Sequence, residues 1–201
     1  LTDDLLARLI VRVGDSLDKS IDMGAIVDKS QWDTVDYWVK MGEKEGGKVF
    51  QPDIPLPTKG LFYKPTLITD LDPAASTVQE EIFGPVLVSL TFRTPEEAIA
   101  LANNTRYGLG GSVWSDNINL ALDAASKIKA GALWVNCHNV FDAAGGFGGY
   151  RESGFGREGG REGLFEYVRP KWMERPRPGL DTEKIAPTRP PTGGAAAWGE
   201  H

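Results

Sequence analysis

The sequence predicts an α/β fold in which parallel strands alternate with helices. Apolar runs typical of buried strands lie at residues 86–92, 109–114 and 132–136, and helical spacing of apolar residues fills both intervals between them. A β-α-β-α-β order favours right-handed crossovers and hence a parallel sheet. A composition of 41% hydrophobic and 25% charged residues suits one globular domain with or without a tail.

The two helices between these strands have recognisable ends. Thr94-Pro95-Glu96-Glu97 predicts a capping box with proline at the first helical position, and the helix is expected to end near Asn103–Asn104. A second helix is expected over residues 117–129 and is closed by Gly131. Its predicted buried face consists of Leu120, Ala121, Ala124 and Ile128.

The first 70 residues predict two more helices. Residues 3–12 have a helical apolar face, and Ser30 begins a helix that Gly46–Gly47 end. A proline-rich loop is expected at 51–60, followed by an extended stretch at 62–68.

Composition excludes several function classes. A net charge of −6 argues against binding of nucleic-acid phosphates. The single cysteine, Cys137, forms no internal disulfide, and with only two histidines a metal site is not expected. Apolar runs are too short to span a membrane, and the low cysteine content fits a cytoplasmic protein.

Three loop features are chemically ambiguous from the residues alone. Phe141 and Phe147 follow the third strand, where they would line a substrate pocket or fill a core. Glu80-Glu81 would bind ribose hydroxyls or form a solvated acidic pair. Residues 145–163 hold nine glycines, and we interpret them as structural turns because no βαβ strand leads into them.

Four motifs in register resemble the aldehyde dehydrogenase superfamily. They are QEEIFGPV at 79–86, NNTRYGL at 103–109, KAGALWVN at 129–136 and GFGGYRESGFGRE at 146–158. The resemblance implies that residues 1–170 form the C-terminal half of that family's catalytic domain. Residues 171–201 would then supply an oligomerisation strand and a linker-like tail. Among the family's branches, the chain is most similar to the one that carries two dehydrogenase-like units in tandem.

The resemblance also implies an activity. Members oxidise aldehydes to carboxylic acids with NAD or NADP: a cysteine thiolate attacks the aldehyde, hydride leaves the thiohemiacetal, and water hydrolyses the thioester. An aldehyde substrate and a homo-oligomer are therefore expected.

Site residues follow from the resemblance position by position. Glu81 matches the glutamate that binds the nicotinamide ribose, Phe83 the aromatic residue beside the nicotinamide ring, and Gln31 a position near the ribose. Thr34 departs from the pattern, because many members have lysine there. The residues that match the aldehyde tunnel are Phe141, Phe147, Cys137 and His138.

No residue of this chain matches a catalytic one. The family's nucleophile motif, Gly-Gln-x-Cys, its general base and its dinucleotide-binding domain are expected upstream of Leu1, so this chain alone is expected to be inactive. Cys137 and His138 are neighbours on an extended strand end, where side chains point to opposite faces, so a Cys–His dyad is not expected. The alternative is a noncatalytic scaffold or assembly protein, which the presence or absence of Gly-Gln-x-Cys upstream would discriminate.

Overall fold

The computed structural model describes residues 2–171, with side chains from residue 4 onward, so the predicted oligomerisation strand and tail lie outside the described residues. It contains six α-helices and five strands in these residues. In chain order they are α1 (Thr2–Arg8), α2 (Lys29–Lys44), β1 (Lys48–Phe50), β2 (Thr66–Thr69), α3 (Ser76–Gln79), β3 (Val86–Val88), α4 (Pro95–Asn103), β4 (Gly110–Val113), α5 (Ile118–Lys127), β5 (Ala132–Val135) and α6 (Gly160–Phe165).

The first sheet has the order β1-β2-β3 and packs against α2. The central strand β2 runs antiparallel to β1 and parallel to β3, and its residues Thr66, Leu67 and Ile68 are fully buried. Val35 and Val39 of α2 join Tyr63 and Ile82 in the main hydrophobic cluster. The buried face of α2 thus fixes the chain that enters β3, since Ile82 lies four residues before it.

The second sheet is a parallel pair, β4 and β5, that carries α5 on one side. Gly110 pairs with Ala132 and Val113 with Val135. Ala121 and Ala124 are the buried residues of α5, and small side chains there let the helix lie close to both strands. The parallel β4-α5-β5 unit expected from the sequence is therefore confirmed.

The prediction of one continuous β-α-β-α-β sheet is wrong. Within residues 2–171, β3 pairs with β2, and no pairing joins it to β4 or β5. The intervening helix α4 begins at the predicted cap, with the Thr94 hydroxyl accepting from the Glu97 amide at 3.2 Å, but it buries none of its residues. Periodicity located these elements but could not identify the partner of β3, which is the short buried strand β2.

Smaller elements also differ from the sequence predictions. The first helix ends at Arg8 instead of continuing to residue 12, and β1 and α3 were not anticipated. The glycine-rich segment holds a 3-10 helix at Arg151–Ser153 and then α6. In the part of the chain that the structure describes, no helix has the length and apolar character to cross a membrane.

Glu45, the C-cap residue that follows α2, joins this helix to α3. Its carboxylate accepts hydrogen bonds from the amide and hydroxyl groups of both Ser76 and Thr77 at the start of α3, whose own N-cap residue, Ala75, provides no side-chain cap. Desolvation alone would raise the pKa of the Glu45 carboxyl, but these hydrogen bonds together outweigh it and lower the pKa from 4.5 to about 2. Glu45 thus acts as a helix cap supplied from a distant part of the sequence.

We expect Glu45→Gln to lower the free energy of unfolding of the 201-residue chain at pH 7. The loss should be about 1 kcal/mol, a modest value for a helix cap because this carboxylate is solvent-exposed. Since the folded-state pKa is depressed, its contribution is complete above pH 4.5 and disappears as the pH falls toward 2. Urea unfolding of both proteins between pH 2 and pH 7 measures the difference.

Glu43→Gln is the matched control for this variant, because Glu43 lies on the same helix and its carboxylate has no hydrogen bond or ion pair within residues 5–171. Equal effects of the two substitutions at every pH would contradict the capping function of Glu45.

Candidate active-site wall

The segment Glu80–Gly84 crosses the N-terminal end of α2 and is held there by three contacts. The Gln31 side-chain amide donates to the carbonyl oxygens of Ile82 at 2.9 Å and Phe83 at 3.1 Å. The Ile82 side chain is buried in the main cluster. At Gly84 a β-carbon would lie 2.4 Å from Val35 Cγ2, so only glycine lets the backbone pass this closely to α2.

This anchoring leaves two side chains of the segment free. Phe83 has a φ of 53°, in the left-handed region, and its ring is 74% exposed. The Glu81 carboxylate is exposed and makes no hydrogen bond or ion pair within residues 5–171. Both line an open cleft of about 310 Å³. A free carboxylate beside an exposed ring on a fixed backbone is an arrangement suited to binding a polar ligand with a flat ring.

Gln31 lies beside the segment that carries Glu81 and Phe83, but its side-chain amide nitrogen is occupied. Both hydrogen bonds of this nitrogen go to the backbone of the Glu80–Gly84 segment. Gln31 therefore positions the segment, and only its side-chain carbonyl is left for other contacts. On the next turn of α2, Thr34 is exposed and its hydroxyl donates to the Ser30 carbonyl at 3.0 Å.

The predicted tunnel residues meet around a tryptophan that sequence reasoning missed. Trp134, in β5, packs edge-to-face with His138 at 5.2 Å and with Phe141 at 5.4 Å between ring centroids. Phe141 in turn packs edge-to-face with Phe147 at 5.2 Å. The Trp134 indole N–H donates to the Val140 carbonyl at 3.0 Å, which fixes the loop that carries these rings. The sequence contains one signal for this role of Trp134, namely the alternation of side chains along a strand, which puts Trp134 on one face of β5.

Cys137 and His138 do not form a pair. His138 Nδ1 lies 2.6 Å from the Ser112 hydroxyl of β4, and which of the two donates depends on the histidine tautomer. The half-buried Cys137 thiol makes no hydrogen bond within residues 5–171. The extended geometry expected for these two residues is not present, because β5 ends at Val135 and Asn136 has a φ of 53°. His138 Nδ1 is occupied by Ser112, and no base or cation contacts the thiol within residues 5–171.

The glycine-rich segment supports this wall. Phe147 and Glu158 exchange two backbone hydrogen bonds of 2.7 Å, and Arg157 Nη1 donates to the carbonyl oxygens of Gly149, Phe155 and Gly156. At Gly131 a β-carbon would lie 1.7 Å from the Gly148 carbonyl oxygen. The glycines thus allow backbone to pack on backbone, as the interpretation of structural turns requires.

Comparison with known proteins decides the family. A model of the aldehyde dehydrogenase family matches residues 2–173. The chain belongs to this family. It is 41% identical over 159 residues to rat (Rattus norvegicus) retinaldehyde dehydrogenase 3, a match that covers 79% of this chain and 31% of the relative. It is 36% identical over 182 residues to betaine aldehyde dehydrogenase of Bacillus subtilis (strain 168), covering 86% of this chain and 37% of the relative.

Solved aldehyde dehydrogenases have the same fold over this region. The NAD⁺ complex of the Bacillus cereus enzyme superimposes with a TM-score of 0.78 at 42% identity, covering 84% of this chain and 34% of that one. Betaine aldehyde dehydrogenase from Staphylococcus aureus with NAD⁺ gives a TM-score of 0.77 at 35% identity, with the same coverage. The chain thus spans about a third of the length of the aldehyde dehydrogenases that it matches.

Gly131→Ala should destabilise this aldehyde dehydrogenase chain strongly, because the new methyl group would overlap the Gly148 carbonyl oxygen, 1.7 Å away. We expect a loss of about 3 kcal/mol in the free energy of unfolding, the upper range for overpacking. Urea unfolding measures it. Gly156→Ala is the control, because its β-carbon would have nothing within 4 Å. A Gly131→Ala protein as stable as the control would contradict the backbone packing described above.

Proposed function

We propose that this chain forms the cofactor-ribose contact and part of the aldehyde tunnel of an NAD(P)-dependent aldehyde dehydrogenase, which oxidises an aldehyde to a carboxylic acid. The observation that carries the proposal is the free carboxylate of Glu81 beside the exposed ring of Phe83 on a segment anchored by Gln31. Family membership supports the reaction class, and the two NAD⁺-bound relatives support the cofactor class.

The residues present fit a nicotinamide dinucleotide. A single carboxylate accepts hydrogen bonds from both hydroxyl groups of a ribose, and the Glu81 carboxylate has no competing partner within residues 5–171. The Phe83 ring, 74% exposed, offers an apolar surface beside it. The bound cofactor would accept the hydride that leaves the substrate. Glu81, Phe83 and Gln31 would bind and orient it, with Gln31 acting through the backbone of the segment.

The aromatic cluster would supply the aldehyde side of the site. Phe141 and Phe147 present ring edges and faces that suit an apolar aldehyde, and Trp134 holds them in place. His138 and the half-buried Cys137 would lie at the edge of this wall. The attacking thiolate would come from a cysteine elsewhere in the complete enzyme, because Cys137 has no base or cation paired with it in residues 5–171.

The 201-residue chain by itself should not oxidise aldehydes. It has one cysteine, Cys137, in an environment that does not activate it. Absorbance of reduced cofactor at 340 nm, followed with acetaldehyde or benzaldehyde and either NAD⁺ or NADP⁺, should not rise above the protein-free rate. Cofactor-dependent oxidation that disappears in Cys137→Ala would overturn this prediction.

In the complete enzyme, Glu81→Gln should raise the KM for the cofactor by about tenfold, the effect of losing one hydrogen bond to a charged group. The KM for the aldehyde should stay unchanged, because Glu81 does not belong to the aromatic cluster. Steady-state kinetics with each substrate varied separately gives both constants, and Glu43→Gln is the control on α2. An unchanged cofactor KM would remove Glu81 from the cofactor site.

The same assay tests the alternative that the complete protein is a noncatalytic scaffold. Absence of any aldehyde oxidation by an intact, folded protein would favour the scaffold. The tandem arrangement of two dehydrogenase-like units, the homo-oligomer and the cytoplasmic location all remain predictions.

A further inference from the structure

Residues 2–92 and 94–171 form two parts of the described structure that are joined by few polar contacts. The first part contains the β1-β2-β3 sheet and the second the β4-β5 pair, and every extensive packing between helices and strands lies within one part. Within residues 5–171, the hydrogen bonds and ion pairs that cross between the parts all involve Glu80. The Arg93–Glu97 bond at the junction is local.

Glu80 makes these contacts with two neighbouring residues of the loop that precedes β4. Arg106 Nη2 donates to Glu80 Oε2 at 2.6 Å, and the Tyr107 hydroxyl donates to the same oxygen at 3.3 Å. The Arg106 guanidinium also lies over the Tyr107 ring and donates to its hydroxyl oxygen at 3.0 Å. The carboxylate is 28% exposed, so the pair is only partly screened by water.

Arg106 is itself tied to the glycine-rich segment. Its Nε lies 3.2 Å from the Glu152 carboxylate, and the Glu152 amide donates to the Arg106 carbonyl at 3.1 Å. Arg151 Nη1 donates to the Thr105 carbonyl at 2.6 Å. Arg106 is therefore anchored to the segment that also carries Phe147 of the aromatic cluster.

We infer that the Glu80–Arg106 ion pair positions the neighbouring Glu81 and so fixes the cofactor contact relative to the aromatic cluster. Glu80 and Glu81 line an open cleft of about 370 Å³ together with residues 107–112 and 128–130 of the second part. Gln31 fixes the downstream end of the Glu80–Gly84 segment, and Arg106 fixes the upstream end. Gln31 acts through the backbone carbonyls of the segment and Arg106 through the side chain of Glu80, so both are positioning residues.

The ion pair can be tested in the 201-residue chain by hydrogen exchange of backbone amides. Glu80→Gln and Arg106→Gln should each raise the exchange rate of residues 79–84 by about fivefold to tenfold. Local opening of this segment would require less free energy in these variants, because it would no longer have to break a charged hydrogen bond. Arg106→Lys, which keeps the positive charge between Glu80 and Glu152, should retain most of the protection. Lys127→Gln is the control, because it removes an exposed ion pair with Asp123 within the second part.

Exchange of residues 79–84 that is the same in Arg106→Gln as in Lys127→Gln would overturn the inference. Uniformly faster exchange over the whole chain would overturn it too, because it would show general destabilisation instead of local positioning.

A second, kinetic test rests on the proposed function and uses the complete enzyme. Arg106→Gln should raise the KM for the cofactor by about fivefold and leave the KM for the aldehyde unchanged, as expected for a misplaced ribose contact. Arg106→Lys should recover part of the effect. Equal changes in both constants would overturn the inference. Complete absence of turnover in the unsubstituted protein would overturn the proposed function instead, and the exchange rates alone would then decide whether the ion pair anchors the segment.

Discussion

Two hydrogen bonds from the Gln31 amide to the carbonyl oxygens of Ile82 and Phe83 hold the segment on which the site depends. They hold a strained backbone, with φ of 53° at Phe83, against the end of α2. Ile82 can then be buried while Glu81 and Phe83 on either side stay exposed. Without this anchoring, the two exposed side chains would have no fixed geometry and the ligand would have to order them on binding.

Local sequence signals predict the long helices and the parallel β4-α5-β5 unit, because the residues that specify each element lie within that element. Thr94, Pro95 and Glu97 specify the start of α4, and Ala121 and Ala124 specify the buried face of α5. The partner of β3 could not be predicted in this way. It is β2, a four-residue strand whose burial results from its position between two other strands. Strand pairing over such distances is decided by the packing of the whole domain.

Sequence patterns also do not predict the contacts of several side chains that organise the site. The sequence pattern predicts only that Trp134 belongs to a strand, and the geometry shows its ring between His138 and Phe141. The sequence presents Glu80 as half of an acidic pair, yet its partner Arg106 is 26 residues further along the chain. Contacts between such distant positions depend on how loops are folded, and composition or spacing does not encode them. The family resemblance supplied candidate roles for Glu81, Phe83 and Gln31, and the packing added a physical reason why they lie together.

We propose that a prearranged Glu80–Gly84 segment presents Glu81 to a cofactor ribose. A crystal structure of the complete enzyme with a bound nicotinamide dinucleotide tests it most directly. In that complex the Glu81 carboxylate should accept hydrogen bonds from the ribose hydroxyls while the Gln31 amide keeps its contacts with Ile82 and Phe83. A ribose bound away from Glu81, or a segment that leaves Gln31 to reach the cofactor, would contradict it.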